Sequence, residues 1–355
     1  MNLEYLQNTR ISTFGVERSY RAIQESLAEY ARVMNALTAQ LVEPTTIAQE
    51  QYELPGEGTL QPLTEDGVPM PVIPSGSYQV GYPIQHAGTA FGSNRIARAL
   101  ATVDELERFT ADTMARDKDW MLRHMLAAIF DNTAWTYNDK PSGAYKGLGN
   151  ITIQPLANGD AVTYMRRGGA LSTDDHYKAQ SAAIADGANP FPAIKRELAE
   201  HPGNGNVIVT YVPTALVDTT VALTEFVEVS DPDIRYGADN DTLDSIRGDI
   251  LGAGDEVLGK TKSGHWIVEW SRLPATHMLS LALGSPKVLK MREYDEASLK
   301  GLHSTGVFDE DGNHYRTDFY RYAGFGASNR VGAVATYIGG ASYTVPSGYD
   351  APLAV

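Results

Sequence analysis

The stretch TVDELERFTADTMARDKDWMLRHMLAAIFDN, residues 102–132, decides how the rest of the chain is read. Thr102 with Glu105 three places on is a capping box: the hydroxyl accepts from one orphan N–H, and the carboxylate returns to the cap. Asp104, Glu105 and Glu107 suit the positive end of a helix dipole. Neither Pro nor Gly interrupts the chain before Pro141, so one helix is predicted over 103–132, ~45 Å long at ~1.5 Å per residue. Trp120, Met121, Leu122, Met125, Leu126, Ile129 and Phe130 make its second half apolar on more than one face. That half is expected to be buried on two sides.

Upstream, the texture is different. Prolines at 55, 62, 69, 71, 74 and 83, with glycines at 56, 58, 67, 76, 81, 88 and 92, forbid a long helix between Glu50 and Asn94. Asp66-Gly67 supplies the positive φ of a tight hairpin turn, flanked by extended segments from Tyr52 to Leu63 and Val68 to Tyr82. A solvated tether would not carry Leu54, Leu60, Leu63, Val68, Val72 and Ile73. The segment reads as a long projecting β-hairpin that finds its burial on something else. Before it, Val16, Tyr20, Ile23, Leu27, Tyr30, Met34, Leu37 and Leu41 follow alternating spacings of four and three, one face of a helix ended by Pro44. Such a helix lies either across its own domain or on a neighbouring subunit. The candidate inter-subunit contacts are Tyr20, Ile23, Leu27, Tyr30, Met34 and Leu37 on the helix, and Leu60, Leu63, Val68 and Val72 on the hairpin.

Downstream, strands alternate with short helices. Asn206 to Val212 is a buried-type strand, and a helix is predicted from Thr214 through Phe226. Asp231 to Asp255 reads as an exposed acidic loop. His265–Trp270, His277–Leu283 and Lys287–Arg292 read as strands. Asp311-Gly312 closes a hairpin into a strand from His314 to Tyr322. Gly324-Phe325-Gly326 is expected to break that strand, and Arg330 to Ile338 to be the last one.

The chain has 355 residues, 43% of them hydrophobic, which is enough for a buried core. Its net charge of -15 argues against a general nucleic-acid-coating surface; Arg166 and Arg167 are a candidate local positive patch. No apolar run reaches the ~18 residues of a membrane span, and Met1 leads into a polar start without a signal-peptide core. Cysteine is absent, which removes disulfides, thiolate metal sites and Cys nucleophiles. There is no GxxxxGK[ST], HExxH or GxSxG string. The eight histidines lack zinc-site spacing, and Asp239, Asn240, Asp241 and Asp244 lack the glycine and distal Glu of an EF-hand. Gly324 and Gly326 are followed by a strand, not by the helix of a dinucleotide loop. No catalytic, cofactor or metal site is assigned.

The order of these parts resembles the major capsid proteins of tailed bacteriophages, the Hong Kong 97 fold, over essentially the whole chain. The resemblance rests on an amphipathic arm, a Pro/Gly hairpin and one long capped helix. It rests also on GDEVLGKTKSGHWIVEWSRLP (Gly254–Pro274) and YRYAGFGASNRVGAV (Tyr320–Val334). It implies an α+β fold with an N-terminal arm (residues 1–49), an extended loop (50–95), a peripheral domain (96–195) with spine helix 103–132, and an axial domain (196–302). A return to the peripheral domain (303–340) and a C-terminal tail (341–355) complete it. The implied role is a non-enzymatic virion shell protein, self-assembling into pentamers and hexamers around double-stranded DNA. Its implied partners are portal and scaffolding or cementing proteins, with no cofactor and no membrane. An encapsulin-like nanocompartment shell is the alternative, and an enzyme of unidentified type a remote one. Part of this family joins a Lys on the extended loop to an Asn of a neighbour. From Glu50 to Arg95 this chain has no Lys, so non-covalent cohesion is expected.

Overall fold

The computed structural model describes residues 9–54, 63–69, 76–91, 100–140, 146–159, 162–230, 256–308 and 314–353. In chain order come helices α1 (Ile11–Phe14) and α2 (Val16–Thr38), then strands β1 (Val42–Thr45), β2 (Gln49–Leu54), β3 (Gly76–Gly81) and β4 (Gln85–Phe91). Helix α3 (Val103–Phe130) follows, with β5 (Trp135–Asp139), β6 (Gly149–Ile153), β7 (Thr163–Met165), β8 (Leu171–Thr173) and β9 (Tyr177–Gln180). Next are α4 (Phe191–Ala199), β10 (Ile208–Val212), α5 (Thr214–Val221), β11 (Phe226–Glu228) and β12 (Glu256–Thr261). The chain continues through β13 (His265–Glu269), β14 (His277–Ala282), β15 (Leu289–Arg292), β16 (His303–Phe308), β17 (His314–Ala327) and β18 (Ala333–Ile338).

Helix α3 forms for the reasons its sequence supplies. Thr102 accepts from the Glu105 N–H at 3.3 Å, and Glu105 accepts from the Thr102 N–H at 3.0 Å. From Met121 on it is buried at Met121, His124, Met125 and every residue through Phe130. That buried end joins the largest core cluster with Trp266, Trp270, Leu279, Leu289 and Phe325.

Among the described residues the strands form four sheets. A seven-stranded sheet runs β11-β12-β13-β10-β14-β18-β9, and a five-stranded one runs β1-β15-β17-β16 with β4 also on β17. A four-stranded sheet runs β2-β3-β6-β5, and β7 pairs with β8. Strand β10, buried along its whole length, sits inside the seven-stranded sheet, as its unbroken apolar run requires.

Several expectations are corrected. Helix α2 ends at Thr38, with Leu41 buried in the following turn. Helix α5 ends at Val221, and Phe226 opens a strand instead. Gly324-Phe325-Gly326 does not break β17, which runs on to Ala327 because β15 pairs across both glycines. The last strand begins at Ala333, after a 3-10 turn at Arg330–Gly332. Strands β9 and β18 complete the seven-stranded sheet, whereas β15 pairs in the five-stranded one. The acidic segment 231–255 with its cation candidates, and the Asp311-Gly312 turn, lie outside the described residues.

Candidate assembly interface

The hairpin begins as an antiparallel ladder of β2 and β3, with Gln49 opposite Gly81 and Leu54 opposite Gly76, a register centred on residue 65. There the turn lies: Gly67 has φ +73° and donates to the Thr64 carbonyl at 2.8 Å, while Thr64 donates to Val68 at 3.2 Å. Beside the turn, Leu63 is 62% and Val68 57% exposed. Two apolar side chains so open to water at one turn form a surface that gains by being covered. Leu60 and Val72 lie outside the described residues. Strand β6 joins β3 through Gly81 opposite Ile153 and pairs with β5, so the β5–β6 hairpin belongs to the same sheet. Its exposed Leu148 was missed in the sequence, although Pro141, Gly147 and Gly149 signal the turn.

The helical stripe is placed differently. Ile23 and Leu27 are buried with Leu106, Leu302 and Phe319 of the same chain, and Met34 joins the main core. Tyr30 donates to Asp117 Oδ2 at 2.8 Å, and Tyr20 to the Ser304 carbonyl at 2.7 Å. Within the subunit, α2 therefore lies across its own domain on the stripe that the 3.6-residue period exposes on one side. The Leu37 side chain lies outside the described residues.

Arg321 of β17 pairs with Asp117 of α3, its Nε donating at 2.9 Å. His265 Nε2 donates to the Phe191 carbonyl at 3.0 Å, which leaves Nδ1 to accept from Thr210 Oγ1 at 2.9 Å, with Ser280 Oγ 2.8 Å from that hydroxyl. Burial holds His265 down to about 4. Asp174, Glu200 and His201 bring possible ligand atoms within 4.8 Å of one another. Arg166 already supplies positive charge there, 2.8 Å from Glu200 and 3.9 Å from Asp174, so half of the candidate Arg166/Arg167 patch is neutralised. Burial pushes the neighbouring Glu197 up to about 7, against the pull of Lys178. Among the described residues no helix is long and apolar enough to cross a membrane.

No family model matches the sequence, and no curated protein matches it. Solved structures do. A chain from Mycobacterium phage Patience superposes with a TM-score of 0.68 at 20% identity, covering 99% of this chain and 96% of that one. The bacteriophage PhiM1 mature capsid gives a TM-score of 0.47 at 12% identity, covering 84% and 86%. A virus-like particle from Pyrococcus furiosus gives 0.40 at 9%, covering 89% and 98%. Only the Patience likeness among these three is close enough to argue from, and at 20% identity it speaks of fold. Together with the capped long helix, the β2–β3 hairpin and the order of sheets, it gives the chain the Hong Kong 97-type fold.

Proposed function

We propose that this chain is the major capsid protein of a tailed bacteriophage, a structural protein without catalytic activity. The observation that carries the reading is the end-to-end match to the Patience phage chain, 99% of this chain with 96% of that one. Subunits assemble through pentamers and hexamers into an icosahedral shell around double-stranded DNA. The hairpin rests on an adjacent subunit through Leu63 and Val68, with Leu60 and Val72 as further contacts. Tyr20, Ile23, Leu27, Tyr30 and Met34 serve inter-subunit packing indirectly, by fixing α2 whose outer face carries the half-exposed Val33, and Leu37 is a further contact with the neighbour. A net charge of -15 keeps the packaged genome from adhering to the wall. Portal and scaffolding or cementing proteins complete the virion, which assembles in the host cytoplasm.

Sedimentation and ultraviolet absorbance of particles isolated with this protein test the reading. Capsid function predicts particles of many subunits that contain double-stranded DNA. Particles of the same size filled with protein cargo and free of DNA would favour the nanocompartment shell instead.

A further inference from the structure

One motif is left unused by the shell reading: Gly324-Phe325-Gly326, which β17 carries without breaking. Opposite it on β15 stand Lys290, paired in register with Gly326, and Arg292, paired with Gly324. Cross-strand partners share a face. The β15–β17 pair therefore has one core face, with Leu289, Met291, Phe325 and Ala327 buried, and one face built of two glycines and two cations.

The root of the hairpin occupies that second face. A Cβ at Gly324 would lie 2.5 Å from the Pro83 carbonyl oxygen, and one at Gly326 would lie 2.7 Å from that of Gly81. Any side chain at either position would push the root away, so the glycines are needed for close backbone approach and not for flexibility. The cations then close over it. Lys290 Nζ donates to Glu50 of β2 at 2.7 and 2.9 Å, and Tyr52 and Tyr82 donate to the same carboxylate at 2.5 and 2.7 Å. Arg292 donates to the Tyr82 carbonyl at 2.9 Å and pairs with Asp139 of β5 at 3.3 Å. Both ends of the hairpin are also tied to this sheet, since β1 pairs with β15 and β4 with β17.

We infer that Gly324, Gly326, Lys290 and Arg292 form a socket that fixes the direction in which the hairpin leaves the subunit. These are positioning residues: they hold Glu50, Tyr82 and Asp139, and the contacts with a neighbour are made elsewhere. The inference rests on the hairpin being an assembly arm, but its test does not. A glycine floor accepts the root at one height only, and the paired cations prevent rotation about it. Charge-assisted hydrogen bonds that saturate a half-buried carboxylate are the stronger kind.

The absence of cysteine lets spin labels be placed only where wanted, at Glu53→Cys on β2 and Glu107→Cys on α3. Electron–electron resonance on the isolated subunit reads their separation. The socket predicts one narrow distance distribution, broadened at least twofold by Lys290→Met or Gly326→Val while thermal unfolding remains cooperative. The charge-swapped pair Glu50→Lys with Lys290→Glu restores much of the narrowness. Should Gly326→Val unfold, Lys290→Met decides alone. A distribution unchanged in Lys290→Met, or already broad in the parent chain, overturns the socket. Broadening accompanied by normal shells would leave the socket standing and count against the hairpin as the assembly arm.

Discussion

Histidines are where single residues decide the acid behaviour of this subunit. Burial holds His124 and His265 down to about 4, and His176 to about 3, from the ordinary 6.5. An unfolded chain takes up protons at these rings below about pH 6.5, whereas the folded one refuses them until near pH 4. Their contribution to stability is therefore complete above pH 6.5 and is lost as pH falls toward 4. Glu197, raised to about 7 from 4.5, works oppositely: the fold keeps its proton, and that contribution fades as pH rises through 7. Burial also holds His86 and His277 down and Asp131 up, so five rings stand against two carboxyls and predict a Tm that falls between about pH 7 and about pH 5. Calorimetry across that range checks the sign, and a flat or rising Tm would contradict it. Helical packing of His124 could be read from the sequence, but the enclosure of His176 and His265 could not, because a scattered histidine shows nothing of which strand will cover it. His265 is enclosed beside Thr210 and Phe191, 55 and 74 residues away.

At the scale of elements, α3 is held by its cap and α2 by its stripe. Thr102→Ala removes one capping partner and should cost ~1 kcal/mol. Leu27→Ala opens a cavity beneath α2 and should cost ~2–4 kcal/mol of subunit stability; urea unfolding of the isolated subunit measures both. Little or no loss at Leu27 would mean that α2 is not part of the subunit core. The long helix, the α2 stripe and the Glu65-Asp66-Gly67 turn could be read directly, because each depends on residues a few places apart. Partners distant in the chain could not. That β18 completes the sheet of β10 and β14, or that β15 leaves it, depends on pairings with no local signature. The continuity of β17 through Gly324-Phe325-Gly326 has no local signature for the same reason. Glycine in a strand looks like a break until the backbone lying against it is known. On the hairpin, exposure of Leu63 and Val68 followed from their place beside the turn, whereas the α2 stripe was equally consistent with a core face and an interface.

As a whole molecule, the subunit combines a closed core with an apolar turn left open to water. Replacing Leu63 and Val68 together with Ser should leave Tm within about 1 °C, since exposed side chains contribute little to folding, while lowering the yield of shells several-fold. A loss of cooperative unfolding would place the turn in the core instead. Cohesion should also be non-covalent: the hairpin segment 50–95 has no Lys, and the chain has no Cys. Lys140 and Lys146 flank the β5–β6 connection in the hairpin's own sheet, so they are the residues to suspect if particles boiled in SDS give a ladder. A single band near 38.5 kDa is the expected result. Cryo-electron microscopy of particles carrying this chain shows whether it builds the shell. An icosahedral wall of five- and sixfold capsomers is expected, with this fold in each unit and Leu63 and Val68 covered by an adjacent subunit. A reconstruction in which the wall is made of another protein, with this chain absent or bound only as an isolated monomer, would contradict it.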